Sequence, residues 1–155
     1  MGSIIRRGGG YEKDIRSRIA QDKQRFMKYK KLLTSRRISV ETRKRFIKTY
    51  VWSVFLYGSE TWTILEVDKR RIVAFETWCY RRMLKISYID RVTNEEVFRR
   101  INERPELWAT LKRRRDVMMG HVLRHDDLTR RVVEGIIDGQ NRRGRPRKSY
   151  VGQIV

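Results

Sequence analysis

Apolar residues recur along this chain every three or four positions, the spacing that turns one face of an α-helix toward a core. In the first stretch Ile15, Ile19, Phe26, Tyr29 and Leu33 share such a face among basic neighbours, which predicts a helix over 12–33. Ser39 is a good N-cap with Glu41 in the first turn, and Val40, Ile47, Tyr50, Val51, Val54 and Phe55 carry a second helix to a stop at Gly58. A third helix is predicted over 68–84, with Ile72, Phe75, Cys79 and Met83 inward and Arg70, Arg71, Arg81 and Arg82 toward solvent. Thr93 and Glu96 have the spacing of a capping box for a short helix holding Val97 and Ile101, which Pro105 ends. Leu107, Leu111, Met118 and Val122 mark the next helix, and Val132, Val133, Ile136 and Ile137 a last short one before Asp138-Gly139. No strand alternation and no internal repeat interrupts this pattern, so the expected class is all-α, a bundle of about five to six helices.

The ends depart from the pattern. Gly2-Ser3-Ile4-Ile5 is a strand-sized remnant, followed by Arg6, Arg7 and the turn Gly8-Gly9-Gly10. Beyond Gly139 the chain becomes a basic tail expected to be disordered.

Charge sharpens the picture. Against 18 Asp and Glu stand 38 Lys and Arg, a formal charge of +20 on 155 residues. A compact state so charged repels itself, and a polyanion relieves the repulsion. Nucleic acid is the first candidate, since neutralised phosphates release condensed counterions. A membrane surface is weaker: no run of ~20 apolar residues occurs, and the segment after Met1 has arginines and glycines where a signal peptide keeps its apolar stretch. An intracellular, nuclear protein is expected. The single cysteine, Cys79, excludes an internal disulfide and a Cys-rich zinc module.

Candidate chemistry is sparse. Asp126-Asp127 could hold Mg²⁺, but the pair follows His125 at a helix end without flanking apolar strands, and helix capping is the better reading. Tyr88-Ile89-Asp90 starts like a polymerase aspartate motif and fails at Arg91. His121 and His125 share a helix face, yet with Asp126 they supply too few ligands for a closed zinc site. Gly8-Gly9-Gly10 lacks the Lys-Ser/Thr of a phosphate-binding loop. No catalytic residue, metal or cofactor is expected.

The basic clusters carry more. Arg36, Arg37, Arg43, Lys44, Arg45 and Lys48 straddle the start of the second helix, whose free N–H groups also favour phosphate. Lys112, Arg113, Arg114 and Arg115 form a second cluster, of which four consecutive helical positions cannot all face one way. In the tail, Arg142, Arg143, Arg145, Arg147 and Lys148 surround Gly144 and Pro146, and Arg143-Gly144-Arg145-Pro146 reproduces the core of a minor-groove AT-hook. The aromatic residues Trp52, Tyr57, Trp62, Trp78 and Trp108 could stack on bases, but they lie in apolar runs and are expected mostly in the core.

Several blocks resemble a known family. They are 31–43 (KLLTSRRISVETR), Val51-Trp52-Ser53-Val54 with Leu56-Tyr57-Gly58-Ser59-Glu60-Thr61-Trp62-Thr63, then 75–84 (FETWCYRRML), 90–97 (DRVTNEEV), Gly120-His121-Val122-Leu123-Arg124 and Gly144-Arg145-Pro146-Arg147. In this order they resemble the region after the palm in RTE-like non-LTR retrotransposon reverse transcriptases, and Gly2-Ser3-Ile4-Ile5 resembles the end of the family's last palm motif. The resemblance implies a palm-end remnant at 1–10, thumb-like helices at 11–60, a post-thumb helical region at 61–137 and a basic tail at 138–155. It also implies a truncated fragment of an RNA-directed DNA polymerase, without the palm aspartates and the endonuclease domain, that holds RNA–DNA or DNA duplex by its phosphates. The alternatives are a host DNA-binding protein using the AT-hook-like tail, and a metal-dependent nuclease built on His121, His125, Asp126 and Asp127.

Overall fold

The structure is a computed structural model and describes residues 11–125 and 128–134. It is all-α, with no strand among the described residues. The elements are α1 (Glu12–Lys28), α2 (Lys30–Leu33), α3 (Val40–Phe46), a π-helical turn (Ile47–Val51), α4 (Trp52–Leu56), α5 (Glu66–Leu84), α6 (Asn94–Arg100), α7 (Leu107–Arg124) and α8 (Leu128–Glu134), with 3₁₀ turns at Ser59–Thr61 and Tyr88–Asp90. The expected 12–33 helix is present with a break at Tyr29, whose amide is shared between the Arg25 and Phe26 carbonyls. Val132 and Val133 fall within α8, while Ile136, Ile137, the first ten residues, Asp126, Asp127 and the basic tail lie outside the described residues.

Local chemistry accounts for most boundaries. The Ser39 hydroxyl accepts the Thr42 amide at 3.1 Å and starts α3, a cap of about 1 kcal/mol. Gly58 sits at φ +67, where a side chain would be strained, and ends α4. Thr93 caps α6 by accepting the Glu96 amide at 3.2 Å, but Glu96 does not complete the box: its carboxylate pairs instead with Arg99 and Arg100. The start of α7 is capped from outside. The buried carboxylate of Glu76, on α5, accepts the amides of Glu106 and Leu107 at 2.8 and 3.1 Å.

One core runs through these helices and draws on both sides of position 60. Its centre is a chain of rings. Trp62 meets Phe55 edge-on at 5.3 Å, Phe55 lies 6.1 Å from Phe75, and Phe75 stacks on Trp78 at 6.4 Å, with Phe26 closing on Trp78 at 5.2 Å. Each fully buried ring of this kind contributes about 2–3 kcal/mol of transfer free energy. The α7 face differs from the expected stripe: Leu107, Leu111, Arg115 and Met119 are buried, in place of Met118 and Val122. A strict four-residue step holds that face against α5 and the turn at 59–61.

The π turn matters for packing. Widening the helix at 47–51 disturbs its bonding ladder, and α1 supplies donors to carbonyls in and after it. Arg25 Nη1 donates to the Tyr50 carbonyl at 3.2 Å and Arg18 Nη1 to the Val54 carbonyl at 2.8 Å. A turn further back, buried Asp14 accepts the Trp62 indole N–H at 3.0 Å and lies 3.6 Å from Arg18.

Candidate nucleic-acid interface

The cations singled out from sequence divide sharply once placed. Arg43 is 7 % exposed and spends its guanidinium on three carbonyls, those of Ile38, Leu33 and Met83, at 3.1, 3.3 and 3.1 Å. It ties the end of α2 to the last turn of α5, and is a fastening of the fold where a phosphate contact was expected. Lys44, 5 % exposed, donates to the Ile101 carbonyl and pairs with Glu41 and Glu103. Lys48 pairs with Glu103 and Glu106. These two lysines join α3 and the π turn to the loop before α7, so the phosphate assignment is corrected for them as well. Their ammonium pKa values are raised despite the opposing effect of burial, because carboxylates accept hydrogen bonds from them and favour the charged form. Arg115 is buried on the inner face of α7, which also removes it from the expected surface.

The rest of that set stays outward. Arg36 and Arg37 are exposed in the turn between α2 and α3, and Lys112 and Arg113 are exposed on α7. Arg114 is divided: it closes the end of α4 by donating to the Leu56 carbonyl at 3.2 Å and lies 3.4 Å from Glu60. Arg142, Arg143, Arg145, Arg147 and Lys148 lie outside the described residues. His121 and His125 are exposed with ring centroids 4.8 Å apart, and no group of three or more His, Cys, Asp or Glu among the described residues is placed to hold a metal. Burial pushes the Cys79 thiol up, so it is a core side chain rather than a nucleophile.

A cationic cleft lies elsewhere, at the end of α5. It has a volume of about 710 Å³ and is walled by Lys30, Arg81, Arg82 and Lys85, with Trp78 and Tyr88 as its rings and no carboxylate in its lining. Trp78 is half-buried against Phe26 and Phe75, and its outer surface carries two cations: Lys23 Nζ at 5.2 Å and the Arg82 guanidinium at 5.6 Å from the ring centre. Such contacts are worth about 0.5–1 kcal/mol each at exposed sites. Arg81 is the fixed member of the wall. It donates to Asn94 Oδ1 and to the Val92 carbonyl, which holds the 85–93 loop against α5.

That loop is built for rigidity. Helix α5 ends with Lys85 left-handed at φ +60 and the Ile86 amide returning to the Arg81 carbonyl at 2.9 Å. This is the position where glycine is usual, and a lysine there costs about 1 kcal/mol. Asp90 accepts the Ser87 amide at 2.5 Å in a capping box, and Arg91 follows at φ +49. Between these two strained cations stand Tyr88 and Ile89, 96 % and 86 % exposed.

A further shallow cavity of about 570 Å³ shares Arg81 and Tyr88 with the first, so Tyr88 stands in the wall common to both. The Trp78 cleft was not visible as a site in the sequence. Its cations come from 30 and 81–85, and the only local sign was an aromatic residue followed closely by Arg81-Arg82 on one helix. Of the other aromatic residues considered for stacking, Trp52 and Trp62 are buried, Trp108 is half-buried and Tyr57 is exposed.

Compared with known proteins, the chain matches no family model, no curated protein and no solved structure.

Proposed function

We propose that this chain is a nucleic-acid-gripping module, the thumb and post-thumb part of a non-LTR retrotransposon reverse transcriptase, which contributes hold rather than chemistry. The ordered sequence blocks support the kinship. The observation that carries the binding is the carboxylate-free cleft beside Trp78, where Lys30, Arg81, Arg82 and Lys85 gather, with Lys23 on the same ring, although several other cations are consumed inside the fold. A surface that leaves such a cluster uncompensated stores Coulomb repulsion, which a phosphate backbone relieves. Arg36 and Arg37 extend the exposed positive surface at the α2–α3 turn, and Lys112 and Arg113 do so on α7.

The test is a gel shift of a labelled template-primer duplex by the full chain across a salt series. Contacts to about six phosphates predict a loss of roughly a thousand-fold between 50 and 200 mM salt. Reversing charge in the cleft with Lys30→Glu and Arg82→Glu together should weaken binding and flatten the salt dependence. Binding that is absent, or indifferent to salt, overturns the reading.

A further inference from the structure

We propose that the Trp78 cleft holds an unpaired stretch of nucleic acid, with a base stacked on the Tyr88 ring and adjoining phosphates on Lys30, Arg82 and Lys85. This rests on the nucleic-acid-binding reading above and narrows it from duplex backbone to single strand.

Tyr88 is the decisive side chain. At 96 % exposure it contributes nothing to the core, and neighbouring Ile89 is nearly as bare. Two large apolar side chains at the tip of a turn gain almost no burial on folding and are left for something outside the fold to cover. The turn is nonetheless stiffened by the Ser87–Asp90 capping box and flanked by two left-handed cations, Lys85 and Arg91. Backbone strain retained beside an exposed ring marks a position kept for what the ring meets.

The chemistry of the walls selects a base. Trp78 already carries Lys23 and Arg82 on its ring and is braced by Phe26 and Phe75, so it forms a floor that places cations. Tyr88 leaves its faces open. Duplex DNA presents phosphate and sugar to a protein surface, which satisfies the cations and leaves a free ring uncovered. An unpaired strand offers both, a phosphate for each cation and a π-face for the tyrosine. The cleft's volume, about 710 Å³, falls in the range of sites that enclose a small ligand. Asp90, the carboxylate nearest Tyr88 in the chain, is committed to the Ser87 amide.

Fluorescence anisotropy on the full chain separates the possibilities, using a blunt duplex and the same duplex with a single-stranded extension of about ten nucleotides. The extension should tighten binding, and Tyr88→Ala should lose that gain, about ten-fold, whereas Tyr88→Phe keeps it. The gain is read for each chain against its own blunt-duplex affinity, and circular dichroism should show equal helix content, since Tyr88 packs against nothing in the core. The proposal is overturned if the extension adds nothing, if Tyr88→Ala retains the gain, or if poly-glutamate binds in a Tyr88-dependent way in place of the oligonucleotide. Loss of binding to every oligonucleotide by the wild-type chain would instead sink the wider nucleic-acid reading.

Discussion

Replacing Asp22 by asparagine should stabilise the chain at neutral pH, and do so less in mild acid. Asp22 lies on α1 between Arg18 and Arg25, fully buried against α4. Both guanidinium groups are spent on the Val54 and Tyr50 carbonyls, and among the described residues no donor closes a hydrogen bond of normal geometry to either carboxylate oxygen, the Phe55 backbone acting on it only weakly. Burial therefore pushes the carboxyl up from 3.8 to about 8, against the opposing effects of the Phe55 backbone and the Arg25 and Arg18 charges. A folded-state pKa above the unfolded one means that the fold binds the extra proton, so this group's stability is fully present below about 4 and lost as pH rises through about 8.

At 1.36 kcal/mol per pH unit, holding that proton costs about 2 kcal/mol at pH 5 and about 5 kcal/mol at pH 7.5. Asparagine is nearly isosteric with the protonated acid and carries no such cost. Its advantage should grow by up to about 3 kcal/mol over that interval and level off above pH 8, with water admitted by the fold lowering the figure. Urea melts of both chains at fixed ionic strength, at several pH values from 5 to 9, measure the difference, and the repulsion among the other charges cancels in it. Parallel stability curves would refute the argument, as would a variant less stable than wild type at pH 7.5.

Three other substitutions test the division between structural and outward cations. Lys85→Gly relieves the left-handed strain at φ +60 and should raise stability by about 1 kcal/mol in a urea melt while weakening oligonucleotide binding; a loss of stability would contradict the strain. Arg43→Ala leaves the Leu33, Ile38 and Met83 carbonyls short of a donor and should cost about 2–4 kcal/mol, whereas exposed Arg36→Ala should stay within about 0.5 kcal/mol, both read by thermal melting. Glu76→Ala uncaps α7 and should cost about 2 kcal/mol or more, with faster amide hydrogen exchange at Leu107; unchanged exchange there would show that the cap is dispensable.

What sequence could and could not show follows from the range of each interaction. Helix positions were legible because they rest on local spacing, and so were the Ser39 and Thr93 caps and the Gly58 stop, each set within four residues. The destination of a cation was not. Arg43 and Lys44 stand in a run that reads as a phosphate-binding cluster, yet their partners Met83 and Ile101 lie 40 and 57 residues away. Arg115 was hidden for a related reason, since an arginine at a core step breaks the apolar stripe and moved the expected face by one or more positions. The cap on α7 comes from Glu76 on another helix, so the residues before Leu107 give no sign of it. Lys85 and Arg91 occupy left-handed positions without glycine, and nothing local announces them.

The wide turn at Ile47–Val51 has a consequence for how this helix tolerates change. Each residue of an α-helix advances the direction of its side chains by about 100°. A single extra residue is taken up by the wide turn, so α3 and α4 keep one buried face across it. Removing exposed Thr49 would let the backbone close as an ordinary helix with Trp52, Phe55 and Leu56 still facing the core, because the wide turn is what absorbs the extra residue. A one-residue deletion at this solvent-facing position should thus be tolerated far better than the same deletion in α1 or α5, where no wide turn takes up the 100° change of heading.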